Sequence, residues 1–443
     1  MKTARELALN VLQALETGPS KSDTLLHQAL DNSSCNRPDR ALATTLVNGV
    51  LRYRDLLDFI ISHFYHHKLA KAAPVLLNIL RLGTYQLLYL DKVPDWAAVN
   101  ECVKLARKYK GDRLAKLTNG VLRKITPENV QLDQWLNDKE PLEQLSLKYS
   151  HPAWLVVRWI ETYGRSRTEA LLACDNQSPV FGFRINRLKT SIENFFANPA
   201  LSDIEREECG IGFFFFSKEF LNFEAPIRDG LLSVQNPTQA LACLLLNPSS
   251  GSTVIDMCAA PGGKSMFMAE LMQNKGKIIC VDRYEQKLLK LEKHARALGI
   301  SIIETIAADA RSFQPEKKPG FILLDAPCTG TGVLGRRAEL RWKLNIETLT
   351  ELVGLQADLL DHAAELLDTG GILVYATCSI EPEENELQIA SFLERHPEFK
   401  KDTDCSLLPE RFRNEAEENG SLLTLPGDLP SFDGGFCQRM KKI

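Results

Sequence analysis

Two cysteines carry the most reactive chemistry this sequence offers. Asp325-Ala326-Pro327-Cys328 and Ala376-Thr377-Cys378-Ser379 each follow a short apolar run, FILL and ILVY, of the kind that makes a buried strand. A lone cysteine is most often a small buried hydrophobe. Two of them placed just beyond strand ends are better explained as thiols facing a crevice, because open α/β sheets bind ligands outside the carboxyl ends of their strands. A thiolate there can attack an electron-poor ring. Carbon 5 of cytosine is a poor nucleophile and takes no methyl group unaided. A thiolate added to carbon 6 turns carbon 5 into an enamine-like centre that can attack a sulfonium methyl, and loss of the carbon-5 proton then expels the sulfur. Asp325 can support the adduct by protonating or hydrogen-bonding N3.

The residues that would hold a methyl donor stand at the neighbouring strand ends. TVIDM is followed by Cys258-Ala259-Ala260-Pro261-Gly262-Gly263-Lys264, whose glycines let the backbone approach a ligand closely. Asp282 closes the run KIICVD, where a carboxylate can accept from ribose hydroxyls. Asp309, after SIIETIA, can receive an adenine amino group, and Asp325 lies beside the reacting atoms. Singly, each would be read as a turn or strand cap. Four such ends in register point to a nucleoside-containing cofactor. PGGK lacks the GxGxxG spacing of a dinucleotide fold and the P-loop signature is absent, which disfavours NAD and nucleotide hydrolysis.

These side chains need a sheet to carry them. From Gln235 onward, strand patterns alternate with helical ones, the mark of a doubly wound parallel sheet with helices on both faces. Leu288, Leu291, Ala295 and Leu298 share one face of a helix that Gly299 ends. Leu352, Leu359 and Leu366 form a stripe on a longer helix, with Val353, Leu360 and Leu367 beside it, and Gly370-Gly371 stops it. Residues 1–126 are helical in pattern throughout, with apolar residues at three- and four-residue spacing, punctuated at Gly18-Pro19, Pro38, Pro74, Pro94 and Gly111. The pattern divides the chain into a helical bundle (1–126), a polar linker (127–141), a mixed α+β subdomain (142–235) and a catalytic α/β domain (236–443). In the third part, HPAWLVVRWIETYG reads as an amphipathic helix, FGFRIN and GFFFF as buried strands, and the run Phe213 to Phe216 as core packing.

Composition narrows the class further. No run of about 18 apolar residues occurs and the polar start MKTARELALN has no signal-peptide core, so a cytoplasmic protein away from membranes is expected. The 11 cysteines are scattered without a CxxC pair, which suits free thiols in a reducing compartment and no metal site. His63, His66 and His67 read as a packing or solvated face. The net charge of -4 hides an asymmetry: residues 1–126 hold 19 Lys+Arg against 11 Asp+Glu, and the remainder 34 against 46. A basic head on an acidic body is suited to gripping a phosphate backbone.

CAAPGGK, LLDAPCTGTG and ATCSIEPEENE resemble the cofactor loop and the two cysteine motifs of the NOL1/NOP2/Sun family of RNA 5-methylcytosine methyltransferases, and RINRLKTS and FDGGFCQRMKK are similar to further family segments. The resemblance spans about residues 142–443, and the head resembles a NusB-like RNA-binding domain. It implies S-adenosylmethionine as cofactor, with Cys258 through Lys264 on the methionine moiety and ribose. It places Asp282 on the ribose hydroxyls, Asp309 at the adenine and Asp325 at the methyl transfer. Cys378 would be the nucleophile and Cys328 would assist product release. The pairing of such a head with such a body is typical of members that act on 16S ribosomal RNA. Two departures stand out: Thr329 where serine is frequent, and Arg337-Ala338-Glu339 in place of a more usual His-Pro-Asp. Three other readings remain: Cys328 as nucleophile, as in DNA cytosine enzymes; a 5-methylcytosine methyltransferase acting on tRNA or large-subunit ribosomal RNA; or a non-catalytic RNA-binding factor on a decayed transferase fold. Oligomeric state is not legible in the sequence.

Overall fold

The computed structural model describes residues 3–18, 21–202 and 204–443. Pro19, one of the expected punctuation points, lies outside the described residues. The chain forms two compact units, residues 1–177 with 334–343, and residues 178–333 with 344–443.

The first unit is helical. Ala4–Thr17, Arg37–Arg52, Arg54–Phe64, Pro74–Tyr89 and Asp95–Leu122 bury one apolar core that includes Leu9, Leu46, Leu57, Leu80 and Cys102. Sequence signals place the helix ends. Thr3 and Asn36 cap their helices by accepting from Glu6 N and Asp39 N, and Pro74 opens its helix at the first turn. Gly111, with φ +78°, breaks Asp95–Leu122 in the middle, as its position in the pattern suggests. Pro141–Tyr149, Ala153–Tyr163 and Arg165–Asp175 complete the unit. His63 stacks on Trp135 at 3.9 Å, and His66 and His67 are exposed.

The second unit holds two sheets. The smaller is antiparallel in the order β2-β3-β1-β4, built from β1 (Phe181–Ile185), β2 (Glu207–Glu208), β3 (Phe214–Ser217) and β4 (Leu232–Val234). Phe214, Phe215 and Phe216 are buried, and Phe213 is partly buried against the core under the Arg187 guanidinium. This is the small α+β layer expected ahead of the catalytic part.

The larger sheet is doubly wound. Its strands are β5 (Thr253–Met257), β6 (Lys277–Asp282), β7 (Ile303–Ala307), β8 (Phe321–Asp325), β9 (Ile372–Thr377), β10 (Phe399–Lys401), β11 (Ser421–Thr424) and β12 (Gly435–Lys442). The order is β10-β12-β9-β8-β5-β6-β7, with β11 on β12; β9, β8, β5, β6 and β7 run parallel and β12 is antiparallel to β9. Side chains alternate between two cores. Val254, Ile278, Leu323 and Val374 face one; Ile255, Ile279, Ile322 and Leu373 face the other. The helices Pro237–Leu246, Gly263–Leu271 and Glu285–Leu298 cover the first face, and Ile346–Leu366 with Glu386–Arg395 the second. Strand order reverses about β5, which opens the crevice between β5 and β8.

Candidate functional site

The four loops at the carboxyl ends of β5, β6, β8 and β9 bring the sequence-selected residues to one side of the larger sheet. After β5 the chain turns through Cys258, at φ +62°, and Gly262, at φ +98°, and enters the helix Gly263–Leu271. Only glycine suits position 262, because a Cβ there would also lie 2.5 Å from Leu291 Cγ. Asp282, at the end of β6, ties this loop down: its carboxylate accepts from Ala260 N at 3.2 Å and from Tyr284 N at 2.9 Å. Asp309 lies two residues past β7 and is half-exposed. Arg311 grips both its oxygens, at 3.1 Å and 2.7 Å, and holds its carboxyl down at about 2.

Asp325 ends β8, and the Lys264 ammonium from the glycine loop donates to it at 2.7 Å. Burial works against the charge on Lys264, but the Asp325 carboxylate outweighs it and keeps the ammonium above its ordinary range, with smaller help from Cys243 and Cys378. The lysine is thus a positive charge held between the glycine loop and the end of β8.

Cys328 and Cys378 meet. Asp325 and Ala376 are register partners on adjacent parallel strands, and beyond them the two sulfurs are 3.2 Å apart. The Cys378 N–H also points at Cys328 Sγ, at 3.3 Å. The contact with Cys378 and then burial push the Cys328 thiol well above its ordinary value. Burial, reinforced by Asp325, Asp282 and Asp256, likewise pushes Cys258 up to about 12 and leaves it a neutral thiol. Among the described residues no cluster of three or more His, Cys, Asp or Glu side chains has the arrangement of a metal site.

Sequence reasoning missed the residues that brace this pair. Gln356 is fully buried on the helix Ile346–Leu366, where the stripe of leucines would predict an apolar side chain. Its amide donates to Pro327 O and to the Glu384 carboxylate, both at 2.9 Å. A polar residue on an apolar stripe is the signal that could have found it. The departure at Arg337-Ala338-Glu339 also acquires a place. It lies in the ten residues 334–343 that belong to the helical unit, where Ala338 joins the core and Glu339 accepts from Ser22 N at 3.3 Å. Arg341 in the same segment is fully buried and donates to Asn176 Oδ1 at 2.8 Å, Asp175 O at 2.7 Å and Arg52 O at 3.0 Å.

Comparison with known proteins bears on the whole chain. Residues 243–437 match the family model of the 16S rRNA methyltransferase RsmB/F, residues 2–127 the NusB family, and residues 151–211 the RsmF/B-like ferredoxin-like domain. The chain is 34% identical to the probable ribosomal RNA small subunit methyltransferase B of Bacillus subtilis over 99% of both proteins. It is 36% identical to the one of Synechocystis over 100% of both. The chain belongs to this methyltransferase family. It is therefore an enzyme, with a NusB domain, a ferredoxin-like layer and a methyltransferase domain in that order. The crystal structure of PH0851 matches 99% of this family member with a TM-score of 0.80, at 27% identity over 98% of that chain.

Proposed function

We propose that this family member transfers a methyl group from S-adenosylmethionine to carbon 5 of a cytosine in 16S ribosomal RNA, through a bond between Cys378 and carbon 6 of the base. The observation that carries the proposal is the 3.2 Å approach of two thiols beyond adjoining strand ends, in the loop layer that also holds the Lys264–Asp325 pair. A structural role would need neither two sulfurs in contact nor a charged pair beside them.

The residues present fit the cofactor. A Cβ at Gly263 would clear its nearest neighbours, the Gln235 and Gln239 amides, at 3.7 Å or beyond. The donor set is right for a cationic nucleoside: Asp282 and Asp309 carry carboxylates past β6 and β7, and Cys258 through Lys264 present backbone to the methionine end. When bound, S-adenosylmethionine supplies an electrophilic methyl group.

The chain's own groups do the rest. Cys378 Sγ adds to carbon 6. A proton passes from the Lys264 ammonium through the Asp325 carboxylate, across their 2.7 Å contact, to N3 and so neutralises the charge that builds on the ring. After methylation the carbon-5 proton leaves to solvent, its bonding pair re-forms the ring double bond and the Cys378 sulfur departs. Cys328, as a thiol, donates a hydrogen bond to the departing thiolate, and the N3 proton returns through Asp325 to Lys264.

The basic head is assigned to the RNA backbone. Lys110, Arg113 and Lys116 are exposed along the second half of the long helix Asp95–Leu122. No helix among the described residues is long and apolar enough to cross a membrane, and the proposed substrate places the work in the cytoplasm. Bisulfite sequencing of 16S ribosomal RNA from a strain lacking this gene tests the assignment. One protected cytosine should become convertible and regain protection on complementation. An unchanged pattern contradicts the proposal.

A further inference from the structure

Two residues adjacent in sequence each hold the neighbours of one reactive cysteine. Glu384 and Asn385 are both completely buried. The Glu384 carboxylate accepts from Thr329 N at 2.9 Å and from the Thr329 hydroxyl, on the carboxyl side of Cys328. It also accepts from Gln356 Nε2, the same nitrogen that donates to Pro327 O on the amino side of Cys328, both at 2.9 Å. Asn385 does the corresponding work for Cys378. Its Oδ1 accepts from the Thr377 hydroxyl at 2.7 Å and its Nδ2 donates to Ser379 O at 3.0 Å. The two halves are joined: the Tyr375 hydroxyl donates to Glu384 O at 2.7 Å, and the Thr329 and Ser379 hydroxyls are 3.1 Å apart.

We infer that Glu384 and Asn385 are positioning residues that together set the separation of the Cys328 and Cys378 sulfurs. Neither touches a sulfur; each acts through the residues on either side of one. The strands alone bring the two loops close, because Asp325 and Ala376 are paired, but both cysteines lie in irregular backbone beyond the ladder. There Cys378 O still accepts from Gly332 N at 3.0 Å, but Pro327 O, Thr329 N and Ser379 O pair with side chains. Gln356, Glu384 and Asn385 supply them, and because the last two are consecutive, any shift of one loop is transmitted to the other. The arrangement also accounts for Thr329. Its hydroxyl is a working donor, so serine or threonine serves and an apolar residue does not.

This inference rests on the proposed reaction for its functional meaning, but it can be tested apart from it. Diamide removes two electrons and two protons from a pair of thiols and leaves a disulfide, at a rate set by how often the sulfurs are in contact. In the full-length protein, the Cys328–Cys378 linked peptide is followed by mass spectrometry. S-adenosylhomocysteine binding is measured alongside by calorimetry, and methylation kinetics in parallel. Glu384→Gln sets an NH2 group against existing donors, and Asn385→Ala removes both contacts. Each should slow cross-linking about tenfold or more and lower kcat, with KM for the methyl donor within twofold of the parent. Thr329→Val removes one hydroxyl from a site it can still fill and should slow cross-linking less, while Thr329→Ser should match the parent. Cross-linking and kcat within twofold of the parent in all variants would overturn the inference. So would a loss of S-adenosylhomocysteine binding that parallels every slowed cross-link, since that marks a general structural role. Slowed cross-linking in a protein whose parent methylates no RNA would leave the positioning role standing and sink the proposed reaction instead.

Discussion

The sulfurs of Cys328 and Cys378 lie 3.2 Å apart, although 50 residues separate them in sequence. The pairing of β8 with β9 makes this possible, since each cysteine lies in the loop that follows its strand. In the proposed reaction one sulfur attacks the base and a second S–H steadies it on departure, with Cys378 in the first part and Cys328 in the second.

The turn that carries the cofactor loop should tolerate no side chain at Gly262. Alanine there would occupy the left-handed region at φ +98° and drive its methyl to 2.5 Å from Leu291 Cγ. Backbone strain of roughly 1–2 kcal/mol and overpacking of roughly 1–3 kcal/mol add up to a loss of about 2–5 kcal/mol. A urea titration of Gly262→Ala measures it, with S-adenosylhomocysteine affinity falling in step. A midpoint equal to that of the parent would show that the loop has room the structure denies it.

Asp256 gives the second unit a pH dependence of definite sign. Burial in β5 pushes its carboxyl up to about 7, only partly offset by a hydrogen bond from Ser265. The unfolded chain releases that proton near pH 4, so between about pH 4 and pH 7 the native state binds more protons and stability falls as pH rises. Asp256→Asn keeps an acceptor for Ser265 and removes the titration. Relative to the parent, the variant should gain about 2 kcal/mol between pH 5 and pH 8 in denaturant titrations. A difference that stays flat over that range would mean that Asp256 does not titrate there.

The charge of the head should be readable in salt dependence. Changing Lys110, Arg113 and Lys116 together to glutamate should weaken binding to 16S ribosomal RNA. If each contacts a phosphate, the slope of log affinity against log salt should become shallower by about 2–3. An unaltered slope would assign that face of the helix Asp95–Leu122 to solvent or to protein partners.

Much of this was legible because the chemistry sits at places where local pattern is strongest. TVIDM, KIICVD, FILLD and ILVYAT are short, apolar and closed by a turn, so both the strands and the residues just past them could be read directly. Gly299 ends its helix with φ +77°, as its place after an apolar stripe requires. Gln356, Glu384 and Asn385 were not legible as functional. Their roles depend on which loops the sheet brings together, and a buried polar group has no periodic signature of its own. The ten residues 334–343 were opaque for a similar reason: only tertiary structure shows Arg341 buried in the helical unit. Asp309 was read as open to an adenine; its bidentate Arg311 partner, two residues on, is near enough in sequence to have been considered.

The central claim is that Cys378, and not Cys328, bonds to the base. Substrate RNA incubated with S-adenosylmethionine and each variant, then resolved under denaturing conditions, tests it most directly. Cys328→Ala should accumulate a covalent protein–RNA complex with little released product, and Cys378→Ala should give neither complex nor 5-methylcytosine. A trapped complex with Cys378→Ala and none with Cys328→Ala would contradict the account.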